Sequence, residues 1–122
     1  MENIDKEEID ELSGDECFTT LDKSQYIIFY FTASWCGPCK RVYPDLLKIK
    51  KQLDPNNILL FKIDIDNDND EICNKCNIDS VPSFLLFKDR TFIERVNGAD
   101  SQKLVDMINK NCFKNNNKND NN

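Results

Sequence analysis

The run Trp35-Cys36-Gly37-Pro38-Cys39-Lys40 holds two thiols two residues apart, around a glycine and a proline. Three chemistries are open to such a pair: a redox couple, half of a zinc site, or a turn that carries sulfur without using it. The turn-compatible backbones of Gly37 and Pro38 allow the two sulfurs to come within bonding range. The same spacing recurs at Cys73-Asn74-Lys75-Cys76, and four thiolates suffice for a structural zinc tetrahedron. However, 33 residues lie between Cys39 and Cys73, beyond the roughly 15 to 20 usual for paired zinc knuckles. No metal is therefore expected. Cys73 and Cys76 are read as space-filling thiols, with a secondary redox or modification site as the alternative, and Cys17 and Cys112 as small buried hydrophobes.

Asp64, Asp66, Asp68 and Asp70 alternate like the start of a calcium loop. Counted from Asp64, however, the sixth position is Asn69 instead of glycine and the twelfth is Lys75 instead of glutamate. A solvated acidic surface is the better reading. Sixteen basic against 22 acidic residues give a net charge of -6, which disfavours attraction to a phosphate backbone, so no nucleic-acid partner is expected. The residues after Met1 offer neither the basic start nor the apolar run of a secretory signal, and no apolar stretch reaches membrane-spanning length. The expected setting is the cytoplasm, without a membrane partner. There cellular reductants oppose structural disulfides, so six cysteines call for a chemical explanation.

The elements around the first pair can be read from periodicity. Tyr26 to Thr32 is uniformly β-branched or aromatic, as in a central strand buried on both faces. It delivers the chain to Cys36. Beyond it Cys39, Val42, Leu46, Ile49 and Leu53 form one apolar stripe of a helix, within which Pro44 is expected to introduce a kink. Ile58 to Ile65 is a second strand, parallel to the first because a helix makes the crossover. Upstream, Ile9 and Leu12 suggest a short strand, and Ser13-Gly14-Asp15-Glu16 a capping box opening a helix to about Leu21. Downstream, the sequence predicts a short helix over 71–77, an antiparallel hairpin of 83–88 with 91–96, and a last helix capped by Asp100 or Ser101. The expected division is a single domain over 1–112 and an Asn-rich disordered tail over 113–122.

In this placement Cys36 opens a helix, where unpaired backbone donors and the positive helix pole favour thiolate over thiol, aided by Lys40 and Arg41. Cys36 is the candidate nucleophile. Cys39, one turn further and on the apolar stripe, is placed to resolve.

The order and motifs resemble the thioredoxin family. Trp35-Cys36-Gly37-Pro38-Cys39-Lys40 matches its active-site motif residue for residue, Pro44 its helix proline, Lys62 its strand lysine, Pro82 after Val81 its cis-proline, and Gly98 the glycine before its last helix. The resemblance, spanning about Ile9 to Cys112, implies an α/β fold of the thioredoxin type: a central mixed β-sheet flanked by helices. It implies a protein-disulfide reductase in which Cys36 attacks a substrate disulfide and Cys39 resolves the mixed disulfide, leaving a Cys36-Cys39 disulfide. It also implies substrate contacts at Trp35, Gly37, Pro38, Val81, Pro82 and Gly98. No cofactor is implied in this chain; electrons would come from a thioredoxin reductase-type donor that carries the nicotinamide. The chain is expected to act as a monomer on protein disulfide substrates.

One position departs from the family. Six residues before the nucleophile, thioredoxins usually carry a buried aspartate that helps the second thiol lose its proton, and here the residue is Tyr30. A phenol of reference pKa about 10 is a poor base at neutral pH. Slower resolution by Cys39 is expected unless Lys62, water or movement of Tyr30 supplies a proton path. The alternative function is a thioredoxin-like binding or scaffold module with little turnover. The family's hairpin glycine is also absent, with Asp89-Arg90 in its place.

Overall fold

The computed structural model describes residues 8–113. Five strands form one sheet in the order β1-β3-β2-β4-β5: β1 (Asp10–Leu12), β2 (Tyr26–Thr32), β3 (Ile58–Asp64), β4 (Ser83–Lys88) and β5 (Thr91–Asn97). β2 is central. It pairs parallel with β3 and antiparallel with β4, and β1 pairs parallel with β3, so the sheet is mixed.

The helices are α1 (Glu16–Thr19), α2 (Gly37–Gln52), α3 (Asp70–Lys75) and α4 (Ser101–Cys112). A strand alternates its side chains, and β2 buries both sets. Tyr26, Ile28 and Tyr30 pack with Val42 and Leu46 of α2 and with Leu104, Met107 and Ile108 of α4. Ile27, Phe29 and Phe31 pack with Cys17 of α1 and Ile72 of α3. Two apolar layers therefore clamp the strand that ends just before Cys36. Fully burying each such side chain contributes about 1.5–3 kcal/mol, which makes β2 a stiff support for the loop it feeds.

Local differences from expectation have physical causes. Glu16 reaches back to the Ser13 N–H at 3.2 Å, but the cap residue of α1 is Asp15, with no side-chain cap bond, so half of the capping box forms. A 3₁₀ turn over Thr20–Asp22 then continues α1. Pro44 lies inside α2, as the sequence indicated, and deprives the Lys40 carbonyl of its intrahelical donor. α3 stops at Lys75 because Asn77 turns left-handed at φ 53°. The hairpin closes without glycine: Asp89 and Arg90 both adopt positive φ, 50° and 72°, the requirement of a two-residue turn that matches strand twist. Asp100 caps α4, accepting from the Lys103 N–H at 3.1 Å. The proposed tail lies, from Lys114 on, outside the described residues.

Candidate active site

Cys36 is the N-cap of α2, and its sulfur accepts the Cys39 N–H at 3.1 Å. Pro38 sits in the first turn, where a missing N–H costs nothing. The cap conformation folds the Cys36 side chain back over that turn, and Cys36 and Cys39 are joined as a disulfide with Cα atoms 5.3 Å apart. In this state Cys36 is 4% exposed and Cys39 2%, both packed in the α2 side of the core. Access to the pair is framed by Trp35, Gly37 and Pro38, all exposed, with Trp35 at 66%.

Trp35 is held from a direction the sequence did not reveal. Its indole N–H donates to Asp66 at 2.8 Å, and the Asp66 N–H donates to the Asp64 carboxylate at 2.9 Å. Part of the acidic loop thus fixes the tryptophan. Asn69 anchors the same loop from inside: 1% exposed, it donates to the Asp64 carbonyl and accepts from the Gly14 N–H, each at 2.8 Å. The Asp-x-Asp repeat around Trp35's partner was the available signal.

The Val81-Pro82 peptide is cis. The Gly98 N–H donates to the Pro82 carbonyl at 2.8 Å, joining these two expected substrate-contact segments. Gly98 adopts φ 100°, a conformation an L side chain rarely takes. Val81 and Ala99 pack against the core cluster that contains both active-site cysteines.

Tyr30 is 1% exposed, and its ring stacks on Phe84 with centroids 5.1 Å apart. Its hydroxyl points to the Cys39 carbonyl and to Thr32 Oγ1, each at 3.2 Å. Burial pushes its phenol above the ordinary value, the hydrogen bond to Thr32 opposing, so the hydroxyl keeps its proton at neutral pH. A hollow of about 370 Å³ lies alongside, lined by Tyr30 and Cys39 together with Lys40, Lys62, Glu11 and Asp64. Lys62 lies 5.6 Å over the Tyr43 ring and 4.0 Å from a Glu11 carboxylate oxygen. Strand register sets Lys62 opposite Tyr30 on one side and opposite Glu11, which the sequence did not single out, on the other.

Cys73 and Cys76 belong to the opposite apolar layer, with Cys17. Burial pushes the Cys17 and Cys76 thiols up to about 11, and raises Cys73 with help from Asp70 and Asp66. Cys112, on the α4 side, is likewise pushed up to about 11 by burial. Among the described residues no three Cys, Asp or Glu side chains gather as a metal site.

A helix-capping dithiol at the end of the central strand of a mixed sheet defines the thioredoxin-like class of proteins. The family model "Thioredoxin" matches residues 8–110, and the chain belongs to the thioredoxin family. It is 34% identical over 83 residues to the thioredoxin of Ictalurus punctatus, covering 68% of this chain and 77% of that protein. Among solved structures it resembles thioredoxin f2 of Chlamydomonas reinhardtii, with TM-score 0.78 and 27% identity over 84% of this chain and 95% of that one. Oxidised mitochondrial thioredoxin 3 of Saccharomyces cerevisiae gives TM-score 0.76 and 28% identity over 84% and 94%.

Proposed function

We propose that the chain is a thiol-disulfide oxidoreductase that reduces protein disulfides through the Cys36-Cys39 couple. The observation that carries this reading is the Cys36 sulfur at the head of α2, accepting a backbone N–H and facing the positive helix pole. Both favour the thiolate, the form that attacks disulfides. Cys36 attacks one substrate sulfur, the substrate's other sulfur leaves, and a mixed disulfide forms. Cys39 then attacks the Cys36 sulfur, the substrate sulfur bonded to Cys36 leaves as a thiolate, and the Cys36-Cys39 disulfide results.

The substrate segment lies across Trp35, Gly37, Pro38, Val81, Pro82 and Gly98, with Lys40, Tyr30 and Lys62 supporting the dithiol from the helix and the sheet. A thioredoxin reductase-type donor returns the electrons, and the protein works as a monomer in the cytoplasm. Among the described residues no helix is long and apolar enough to cross a membrane. Tyr30, where the family keeps a carboxylate, favours the second reading of a binding module with little turnover.

Dithiothreitol-driven reduction of insulin disulfides separates the two. Turnover by the unaltered protein that vanishes in Cys36→Ser supports the reductase. Equal rates for both proteins refute it for this substrate and raise the binding module.

A further inference from the structure

Strand pairing sets Glu11 of β1 directly beside Lys62 of β3, and Lys62 directly beside Tyr30 of β2. These three residues form one row across the sheet, and all three line the hollow that Cys39 also lines. Tyr30 is no base for the resolving proton, because its buried phenol already carries its one proton, 3.2 Å from the Cys39 carbonyl and from Thr32 Oγ1. Lys62, an ammonium, has no free acceptor. The carboxylate within this row is Glu11, tethered by Lys62 at 4.0 Å and by Asn67, whose side-chain amide donates to it at 3.3 Å.

We propose that Glu11 accepts the Cys39 proton during resolution, through solvent in the shared hollow, replacing from β1 the carboxylate that β2 lacks. The inference rests on the reductase reading above. The step balances without an outside oxidant. Cys39 gives its proton to water and water gives one to Glu11. The Cys39 sulfur bonds to Cys36 as the Cys36-substrate bond breaks, and the substrate leaves as a thiolate that is reprotonated by Glu11 or bulk water. Glu11 touches none of the reacting sulfurs, so its role is that of a positioned proton acceptor. The charged and titratable groups facing it are Lys62 and Asp64 from β3, Tyr30 from β2, and Lys40 and Tyr43 from α2.

The test uses the full chain, reduced, mixed with an aromatic disulfide that releases one coloured thiolate on attack by Cys36 and a second on resolution by Cys39. Stopped-flow absorbance resolves the two releases. Glu11→Gln, a change at an exposed position, is expected to leave the first release unchanged and slow the second about three- to tenfold at pH 7. The deficit closes above about pH 9, where hydroxide takes the proton, and Glu11→Asp recovers part of the rate. A second release with unaltered rate and pH profile in Glu11→Gln overturns the proposal and leaves the reductase reading standing. Slowing of both releases by one factor at every pH also overturns it, because that marks a structural effect. Absence of a second release in the unaltered protein overturns the reductase reading and the proposal together.

Discussion

Cys36-Cys39 and Cys73-Cys76 share one spacing and occupy opposite poles of their helices. Cys36 is the N-cap of a helix of 16 residues, and its sulfur receives a backbone N–H. Cys76 is the C-cap of a helix of six residues. There the Ile78 N–H closes onto the Cys73 carbonyl at 2.9 Å and the Asn77 N–H onto the Asn74 carbonyl at 3.2 Å, a Schellman ending with Asn at the left-handed position. Arg95 donates to the freed carbonyls of Cys76 and Asn77. Around the first pair a backbone donor is aimed at sulfur, whereas around the second the donors close on carbonyl oxygen, and burial raises the thiols. The two-residue spacing permits redox chemistry, and the helix pole decides whether it is favoured.

The largest expected effect follows directly. Cys36→Ser lowers insulin reduction by at least about a hundredfold, because no other thiol is presented as a stabilised thiolate. Cys73→Ser and Cys76→Ser leave the rate within about twofold, measured in the same assay. A comparable loss from either would break the comparison and make the second pair part of the catalytic cycle.

Titration sharpens it. With Cys17, Cys76 and Cys112 pushed up to about 11, their alkylation by iodoacetamide should remain slow at pH 7 and climb through pH 11, while Cys36 reacts first. Site-resolved mass spectrometry reads the order. The sign for stability follows from linkage: above the unfolded thiol value of about 8.5 the unfolded chain loses protons that the folded chain retains. Stability contributed by these buried thiols is full below that pH and is lost as pH rises through about 11. Urea midpoints should fall over that window, and Cys17→Ala should flatten the slope.

Much of this arrangement was legible from local pattern. β2, the stripe of α2, the hairpin and the α4 cap follow from runs and periods confined to neighbouring residues, and the helix pole of Cys36 follows from their order. What remained hidden depends on pairing across the sheet or between loops. Glu11 read as one polar residue of a short strand, and only the β1-β3 register sets it beside Lys62. Asp66 read as solvated surface, because nothing local reveals that Trp35, 31 residues away, donates to it. Asn69 entered only as a failed calcium position, yet it joins Gly14, Cys17 and Asp64.

Asn69 therefore bears on the side of the second pair. Asn69→Ala leaves the Gly14 N–H and the Asp64 carbonyl without this partner and should destabilise the fold by about 2–3 kcal/mol, read from urea unfolding. Since the same loop carries Asp66, Trp35 fluorescence should shift as well. A full loss of stability with unchanged Trp35 emission would show that the two ends of the loop are independent.

The smallest effect tests the helix end itself. Asn77 holds φ 53°, a conformation in which most L residues crowd their Cβ against the following carbonyl and which Asn tolerates better than Ala. Asn77→Ala should therefore destabilise by about 1 kcal/mol, lowering Tm by about 4–8 °C, while Asn77→Gly stays within about 0.5 kcal/mol of the unaltered protein. Neither variant adds a donor to the Cys73 or Cys76 sulfur, so alkylation of these thiols in the folded protein at neutral pH should remain slow in both. If Asn77→Ala instead made Cys76 reactive while the fold stayed intact by circular dichroism, the quiet behaviour of the second pair would lie in the tightness of its Schellman ending. The pole it occupies would then be secondary, and the contrast with Cys36 would have to be redrawn around local opening.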